Sequence, residues 1–390
     1  MDRNRYLVDN IVRDVSDKMV FLGGARQVGK TTLARNLVGP AFRDTAYLNW
    51  DNRADRRRIL NMEYPGTAEL IILDEIHKYR KWKTLIKGEY DVHKGERKYL
   101  VTGSARLNLY RRGGDSLQGR YHYYTLHPFS LAEVVGRSAP AEVFQELPIE
   151  SAGHADVLEA LERFGGFPEI FLKQNARALR RWHNERTERL LREDIRDLQA
   201  IRDLASFQLL ADLLPSKVGS LLSVNALRED LEVSHRTVST WLDILEAFYY
   251  QFRIYPYRER KVRSIRKEPK LYLVDWSEVP DPAARFENLL ACHLLKYVQY
   301  LYEHDGYRAQ LSFLRNVDKK EVDFLVTVDN RPWFCVEAKY QDQALSDHLP
   351  YFRERLDIPY AFQVIRTPGI DVMRRGIRLI SADRFLAALI

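Results

Sequence analysis

The chain has 390 residues and a formal net charge of +7, from 61 Lys and Arg against 54 Asp and Glu, and 45% of its residues are hydrophobic. This length allows about two to four domains with separate cores, and the basic excess favours an anionic partner. No apolar run approaches the roughly 20 residues of a membrane helix, and residues 1–10 lack the apolar stretch of a signal peptide. We therefore expect a cytoplasmic protein with no membrane partner.

The chain contains two cysteines, Cys292 and Cys335. They are too few for a disulfide framework and lack the spacing of metal ligands, which fits a reducing compartment. We expect both to be ordinary core residues.

A glycine-rich turn follows the first strand pattern. The run MVFLG predicts a strand, GGARQVGKTT follows it, and LARNLVG has the spacing of a helix. The turn fits G-x-x-x-x-G-K-[ST] in full, and the backbone N–H groups of such a loop face phosphate oxygens at the positive end of the helix dipole. The sequence therefore predicts a site for ATP with Mg²⁺, made by Gly24, Ala25, Arg26, Gln27, Val28, Gly29, Lys30, Thr31 and Thr32.

Two acidic residues follow a later buried strand pattern. TAYLNWD predicts a strand, ADRRRILN predicts a helix, and residues 70–73 form a continuous apolar run typical of a parallel sheet. That run ends at Asp74 and Glu75, at the sheet edge beside the P-loop. We expect Lys30 to reach the β and γ phosphates, and Thr31 and Asp74 to hold Mg²⁺, Asp74 through water. Glu75 would orient or deprotonate the attacking water.

Further polar candidates follow two more strand patterns. RKYLVTGSARL predicts a buried strand followed by Thr102 and Ser104, which are candidates for sensing the γ-phosphate. Arg120 precedes an aromatic strand and is a candidate arginine finger, for its own site or for that of a neighbouring subunit in a homo-oligomer. Arg111 and Arg112 are rivals for this role, and Arg120 as a plain surface residue is the alternative.

Five motifs together resemble a known family: GGARQVGKTT, LIILDEIHK, LVTGSARL, LQGRYHYYTLHPFSLAEV and FGGFPEIF. They are similar to the bacterial and archaeal AAA-type P-loop ATPases that carry a C-terminal region of unknown function. The resemblance implies an α/β chain with a five-stranded parallel ATPase core, an internal winged helix and a restriction-endonuclease-like terminal domain. We place the core at 1–138, a helical connector at 139–204, the winged helix at 205–278 and the nuclease-like domain at 279–390.

The connector pattern is helical, with a break at Gly165 and Gly166 that predicts a turn between helices. Residues 175–198 follow as a long helix of mixed charge. Its stripe is only partly apolar, so we expect a solvated connector arm. The stripe consists of Leu179, Trp182, Arg186 and Leu190.

A helix-turn-helix pattern follows the connector. NALREDLEV and SHRTVSTWLDILEAF predict two helices with a tight connection, the second capped by Ser234. YYQFRIYPY and KLYLVD predict strands around the basic run RERKVRSIRK, which completes a winged helix able to bind double-stranded DNA. The residues expected in the major groove are His235, Arg236 and Thr237. The alternative is a unit that packs only against its own protein, with Trp241, Leu242 and Leu245 as its core.

Two strands in the C-terminal region gather charged residues. VDFLVTV and PWFCVEAKY flank DNR, which predicts a hairpin with a three-residue loop. Pairing Val328 with Pro332 places Asp323 opposite Glu337. By the same register Glu321 lies opposite Lys339. Residues 322–340 would then have one wholly apolar, buried face and one face with charges at its far end.

Carboxylates so close together repel one another unless a cation joins them, and Mg²⁺ or Mn²⁺ suits such oxygen ligands. Glu287 heads an apolar helical stripe and is a candidate third ligand. Glu287, Asp323 and Glu337-x-Lys339 resemble the PD-(D/E)xK phosphodiesterase pattern, with Val322 in place of the usual Pro. The resemblance implies that Asp323 and Glu337 bind metal and that Lys339 assists attack on phosphate. A degenerate, inactive nuclease fold is the alternative.

Two functions fit these modules. One is an ATP-driven DNA enzyme in which hydrolysis controls the winged helix and a metal-dependent nuclease. The other is a regulatory P-loop switch that acts through a protein partner and has no nuclease chemistry.

Overall fold

The computed structural model describes residues 5–103, 117–137, 140–189, 201, 203–257, 268–341 and 344–390. The chain divides into two compact units, one of residues 1–127 with 247–249 and the other of residues 128–246 with 250–390. Across the described ranges, no helix is both long enough and apolar enough to cross a membrane.

The first unit is a parallel sheet with helical connections. Its described strands are β1 (Met19–Gly24), β2 (Thr45–Asn49), β3 (Leu70–Asp74), β4 (Lys98–Thr102) and β5 (Tyr121–Leu126), and its described helices are α1 (Val8–Asp14), α2 (Lys30–Thr32), α3 (Arg53–Leu60) and α4 (Trp82–His93). The strand order is β2-β3-β4-β1-β5, and every neighbouring pair is parallel. The predicted five-stranded parallel core is therefore confirmed.

The central strands explain where the first site lies. Every residue of β1 and β3 is buried, as expected for strands covered on both faces. The C-terminal ends of both strands lie on the same side of the sheet, and the last residues there are Gly24 and Asp74. Helix α2 starts on that side and continues as a π-helix over Leu33–Val38. The glycine turn and the acidic residues of β3 are thus brought together by the parallel arrangement.

The second unit combines helices with one mixed sheet. Its described helices are α5 (Leu131–Val134), α6 (Ala155–Phe164), α7 (Pro168–Lys173), α8 (Ala176–Arg189), α9 (Leu204–Leu213), α10 (Val224–Asp230), α11 (His235–Ala247), α12 (Pro282–Glu303), α13 (His348–Arg355) and α14 (Ala382–Ala387). Its described strands are β6 (Gln251–Pro256), β7 (Lys270–Leu273), β8 (Ala309–Arg315), β9 (Glu321–Val328), β10 (Arg331–Lys339), β11 (Tyr360–Ile365), β12 (Asp371–Arg374) and β13 (Ile377–Ser381).

The eight strands form one continuous sheet in the order β12-β13-β11-β10-β9-β8-β6-β7. The β6–β7 hairpin follows the two helices α10 and α11, and β6 joins β8 in parallel. Helix α12 packs on β8 and β10, and α13 packs on β9 and β10. The hairpin after α11 and the C-terminal strands therefore share one sheet, which carries Lys270 to the strands that bear the acidic residues.

The hairpin of β9 and β10 differs from the prediction at its turn. Val328 pairs with Arg331, so the loop has two residues, Asp329 and Asn330, with φ of 49° and 65°. Both values are left-handed, as a type I′ turn requires, and Asp and Asn tolerate them. The predicted three-residue loop is wrong, because a β-bulge between Pro332 and Phe334 takes up the extra residue.

Beyond the bulge the hairpin has the predicted register. Val336 pairs with Phe324, and continuing this pairing puts Glu337 opposite Asp323. The predicted apolar face is buried from Val322 through Val328 in β9 and at Phe334 and Val336 in β10, whereas Ala338 and Tyr340 are half-buried. The sheet is covered on both faces, so the charged end of the hairpin lies next to a closed core.

The connector helix α8 is not a plain solvated arm. Trp182 is buried, and its indole N–H donates to Asp275 Oδ2 at 2.9 Å. Arg186 pairs with Asp275 at 3.4 Å and with Glu278 at 2.8 Å. The prediction of a solvated arm is wrong because Trp182 and Arg186 find apolar and acidic partners. Leu190 of the stripe lies outside the described residues. The predicted turn at Gly165 is confirmed between α6 and α7.

Candidate functional site

The P-loop backbone has the curled form that a phosphate cradle needs. Gly24, Gln27 and Gly29 have φ of 136°, 61° and 100°. A Cβ on Gly24 would collide with the backbone carbonyl oxygen of Leu126 in β5. Glycine is therefore required at this position both by its φ and by the approach of the neighbouring strand.

Two basic side chains bind to the loop from within the first unit. Lys30 is buried and donates to the carbonyl oxygens of Gly24 at 3.0 Å and Ala25 at 2.8 Å. Arg5, also buried, donates to the Val28 carbonyl oxygen at 2.9 Å. Carbonyls that would otherwise lack partners are thus satisfied, which fixes the loop in its curled form.

Asp74 lies at the end of β3 among hydroxyl groups. Its Oδ2 accepts hydrogen bonds from the Thr31 and Tyr47 hydroxyls, each at 2.8 Å. Its Oδ1 accepts one from the Thr102 hydroxyl. Burial, together with the hydrogen bond to Asp74, raises the pKa of Tyr47 to about 12, so Tyr47 stays a hydrogen-bond donor at neutral pH.

The hydroxyl groups around Asp74 leave its carboxylate suited to bind Mg²⁺. The described contacts of the Asp74 carboxylate are all with neutral donors, which orient it without cancelling its charge. Thr31 stands beside it with a second oxygen. Oxygen ligands of this kind suit Mg²⁺. Thr31 and Asp74 are therefore placed together as the sequence predicted, and Thr102 positions Asp74 from inside the sheet.

Glu75 stands next to Asp74 in an unusual conformation. Its φ is 59°, which is rare for a non-glycine residue, and its N–H donates to the Thr102 carbonyl oxygen at 3.0 Å. Lys78 lies 3.3 Å from its carboxylate and 2.5 Å from that of Asp51. Burial raises the pKa of Glu75, against the lowering effect of Lys78 and Lys30. A carboxylate with a raised pKa is better suited to accept a proton.

Arg120 lies at the N-terminal ends of the parallel strands, opposite the ends that lead to the P-loop. Tyr121, the residue after it, pairs with Met19 at the start of β1, whereas the P-loop follows the end of β1. Its guanidinium forms two hydrogen bonds with Asp91, at 2.7 and 3.2 Å. This position does not support contact between Arg120 and a nucleotide bound to the P-loop of the same chain. A role in the site of a neighbouring subunit stays a prediction.

Three other predicted candidates fall on residues that the structure does not describe. Ser104 and the two rival arginines, Arg111 and Arg112, lie outside the described ranges. The same holds for the basic run of residues 258–267. Their predicted roles stay predictions.

The second acidic cluster has a lysine at its centre. Lys270 Nζ lies 2.8 Å from Glu321 Oε1, 3.0 Å from Asp323 Oδ1 and 3.3 Å from Glu287 Oε1. The Tyr272 hydroxyl donates to Glu287 Oε1 at 2.7 Å. The structure thus brings Glu287 and Asp323 together as predicted, but with an ammonium group where the sequence suggested a metal ion.

Glu337 completes this cluster from β10. Its Oε1 lies 3.0 Å from Lys339 Nζ, while its Oε2 is buried and has no hydrogen-bond partner among the described residues. Glu321, which the same register places opposite Lys339, forms ion pairs with Lys270 and Arg315. Burial, with the nearby charge of Asp323, raises the pKa of Glu337 to about 7.

The charges of this cluster favour an ionised Lys270. Burial by itself lowers the pKa of Lys270, but the charges of Asp323, Glu287 and Glu321 raise it overall. Burial and Asp323 raise the pKa of Glu287 to about 7. Across the described part of the chain, no group of three or more His, Cys, Asp or Glu side chains is arranged to hold a metal ion. The residues present do not fit a divalent metal ion here, because Lys270 holds the central position.

The helix pair α10 and α11 exposes its predicted contact residues. Ser234 accepts a hydrogen bond from the Thr237 N–H at 3.0 Å, so it caps α11 as predicted. His235 and Arg236 are exposed at the start of that helix, and Thr237 is half-buried. The predicted core residues are buried, and they are Trp241, Leu242 and Leu245.

The sequence patterns did not identify three residues that contribute to the two acidic clusters. Tyr47 lies in β2, two residues before its end, and reaches Asp74 across the sheet. Lys78 follows the acidic pair and holds Glu75. Lys270 opens the otherwise apolar strand β7, and this was a usable signal, since a lysine in a buried strand needs acidic partners.

The parallel sheet, the curled loop and the hydroxyl-bound aspartate give the first unit the arrangement of a P-loop ATPase-like domain. Residues 16–135 match the family model of the AAA domain. Residues 156–278 and 283–385 match two domains of unknown function, DUF8612 and DUF4143. A match to an AAA domain is therefore followed along the chain by matches to two domains of unknown function.

Curated relatives are uncharacterized proteins. One, from Mycobacterium tuberculosis, is 24% identical over 259 residues, which cover 66% of this chain and 54% of the relative. Another, from Haemophilus influenzae, is 21% identical over 354 residues and covers 83% of each chain. The aligned region thus spans little more than half the length of the mycobacterial relative.

Solved structures give weak similarities. The Thermotoga maritima RuvB Holliday junction branch migration motor is 17% identical, with 64% of this chain and 89% of that chain covered and a TM-score of 0.31. Bacteroides Pif1 bound to ssDNA is 12% identical, with 42% and 57% covered and a TM-score of 0.24. These similarities are too low to support a functional argument.

Proposed function

We propose that the chain is a Mg²⁺-dependent ATPase. The observation that carries this proposal is the Asp74 carboxylate, held by the Thr31 and Tyr47 hydroxyls beside the P-loop. Thr31 and Asp74 would hold Mg²⁺, which supplies positive charge to the β and γ phosphates of ATP.

Lys30 and Glu75 have distinct roles in this proposal. The Lys30 ammonium, which now binds loop carbonyls at 2.8 and 3.0 Å, turns to the phosphates when ATP enters. Glu75 orients a water molecule toward the γ-phosphate and accepts its proton. Release of Glu75 from Lys78 would prepare it for this task, because an ion-paired carboxylate is a weaker base.

Phosphate release from ATP with Mg²⁺ tests the proposal. We expect Lys30→Ala to lose ATP binding, and Glu75→Gln to bind ATP while turnover falls on the order of 100-fold or more. The matched controls are Lys81→Ala and Glu96→Gln, which change exposed residues of the same unit and should retain wild-type turnover. Unimpaired turnover in Lys30→Ala or Glu75→Gln would contradict the assignment.

We further propose that the second unit binds double-stranded DNA through the N-terminal end of α11. The support is the exposure of His235 and Arg236 on a helix that Ser234 caps, after a short connection from α10. In a helix-turn-helix the second helix presents such residues to base edges. The β6–β7 hairpin that follows α11 would form the wing of a winged helix.

Fluorescence anisotropy with a labelled duplex tests this contact. Arg236→Ala should weaken binding roughly tenfold, and the effect should shrink as salt rises if the arginine contacts phosphate. Arg177→Ala removes an exposed arginine of α8 in the same unit and should have a smaller effect. Equal binding by wild type and Arg236→Ala would favour the alternative, a regulatory ATPase that acts through a protein partner.

Nuclease activity is not part of this proposal. The cation position of the C-terminal cluster is taken by Lys270, at 3.0 Å from Asp323. This favours the alternative in which the C-terminal strands form a nuclease-like fold without metal-dependent cleavage.

A further inference from the structure

Three carboxylate oxygens converge on one point in the second unit. They come from Glu287 on α12 and from Glu321 and Asp323 on β9, and the point is the Nζ atom of Lys270 on β7. The distances are 3.3, 2.8 and 3.0 Å in that order. An ammonium group has three N–H donors and here finds three acceptors.

The lysine belongs to the interior rather than to the surface. Its side chain is 3% exposed, against 20% for that of Glu287 and 16% for that of Asp323. A buried ammonium without acidic partners would be very costly, and so would three adjacent carboxylates without a cation. The lysine and the acids are therefore required together.

One point cannot hold both an ammonium group and a divalent ion. Mg²⁺ binds oxygen at about 2.0–2.1 Å and Ca²⁺ at about 2.3–2.6 Å, so either ion would have to occupy nearly the position of Lys270 Nζ. As described, the carboxylates do not form a metal site, because they converge on the ammonium group, which supplies their cation. They can close on a divalent ion only after the ammonium group is gone. Occupancy by metal and occupancy by Lys270 exclude each other.

A neighbouring carboxylate is incompletely satisfied. Glu337 Oε2 is buried without a hydrogen-bond partner among the described residues, and Glu337 lies opposite Asp323 in the hairpin. Lys270 satisfies the other three acids and leaves this oxygen without a donor.

We propose that Lys270 is the resident cation of this cluster and that the cluster takes a divalent metal ion only when the Lys270 ammonium is removed. This inference is independent of the proposed ATPase activity. It makes the second acidic cluster a closed, metal-free site in the native chain.

Mn²⁺ binding to the full chain, after treatment with chelator and without nucleotide, tests the inference. K270M keeps the length of the side chain and removes its charge. We expect the chelated K270M protein to unfold at a lower temperature than wild type, and Mn²⁺ to raise its midpoint by roughly 3 °C or more. Mn²⁺ should shift the wild-type midpoint no more than it shifts that of D323N, and K270M with D323N added should lose the rescue.

The wild-type chain gives a second test that does not depend on the folding of K270M. Electron paramagnetic resonance counts free and bound Mn²⁺ directly. Equal Mn²⁺ binding by wild type and D323N supports the inference. Binding by wild type that D323N abolishes would overturn it, as would a folded K270M protein that Mn²⁺ does not stabilise.

Discussion

Asp74 in the first unit is the last residue of β3, and Asp323 in the second is the third residue of β9. The partners of the two carboxylates differ in charge. Asp74 accepts hydrogen bonds from three neutral hydroxyl groups. Asp323 lies 3.0 Å from a buried ammonium group. Hydroxyl donors orient a carboxylate and leave its charge available, whereas an ammonium group cancels it. Under the proposed function the first cluster takes its cation from solution, whereas the second already contains one.

The same contrast separates the two lysines. Lys30 binds backbone carbonyl oxygens, which are neutral and can be exchanged for phosphate. Lys270 binds three acidic side chains, and its release would leave them uncompensated. The contacts of Lys30 therefore allow it to move to a ligand, whereas the ion pairs of Lys270 fix it in the fold.

Among the variants that test this comparison, we expect Glu337→Gln to change the stability of its unit the most. Burial raises the pKa of Glu337 to about 7 from an ordinary value of 4.5. The folded state therefore favours the protonated acid, and the stability that protonation gives is lost as the pH rises from about 4.5 to about 7. The neutral glutamine avoids this loss and should stabilise the second unit by about 2 kcal/mol at pH 8, with little effect at pH 4.

Urea unfolding at the two pH values measures this difference. Glu169→Gln, at an exposed position of the same unit, is the control and should leave stability nearly unchanged. A Glu337→Gln protein less stable than wild type at pH 8 would mean that the carboxylate is fully compensated in the fold.

A smaller effect is expected from Tyr47→Phe in the first unit. The change removes one of the two 2.8 Å hydrogen bonds to Asp74 Oδ2 and keeps the ring. Loss of a hydrogen bond to a charged group costs about 1 kcal/mol at a partly exposed site, so the Mg²⁺ concentration for half-maximal turnover should rise about fivefold. The maximal rate at saturating Mg²⁺ should change less, since Tyr47 acts through Asp74.

Tyr79→Phe is the matched control for this measurement. Tyr79 stacks on Trp50 with ring centroids 5.0 Å apart, and its ring is kept by the change. An equal rise in the Mg²⁺ requirement of both variants would assign the effect to general loosening of the unit.

The sequence was enough to predict the parts of the molecule that depend on local pattern. The P-loop motif, the buried run of residues 70–73 and the alternation in β9 and β10 predict strands, register and the meeting of Lys30, Thr31 and Asp74. These features follow from spacing within one or two elements, where hydrophobic periodicity is informative.

Features that depend on distant pairing could not be predicted in the same way. Lys270 and Asp323 are 53 positions apart, and their contact depends on β6 joining β8. The hairpin turn was displaced by a bulge that no periodicity indicates. Arg120 is a candidate arginine finger by its position before β5, but strand direction puts it at the start of the parallel strands, away from the P-loop of its own chain.

The measurement that tests the central contrast most directly is a count of bound Mn²⁺ with a non-hydrolysable ATP analogue. Wild type, Asp74→Asn and Asp323→Asn would be compared by electron paramagnetic resonance. We predict one Mn²⁺ per chain in wild type and in Asp323→Asn, and loss of that ion in Asp74→Asn. A second Mn²⁺ in wild type that disappears in Asp323→Asn, or a single ion that survives in Asp74→Asn, would contradict the account.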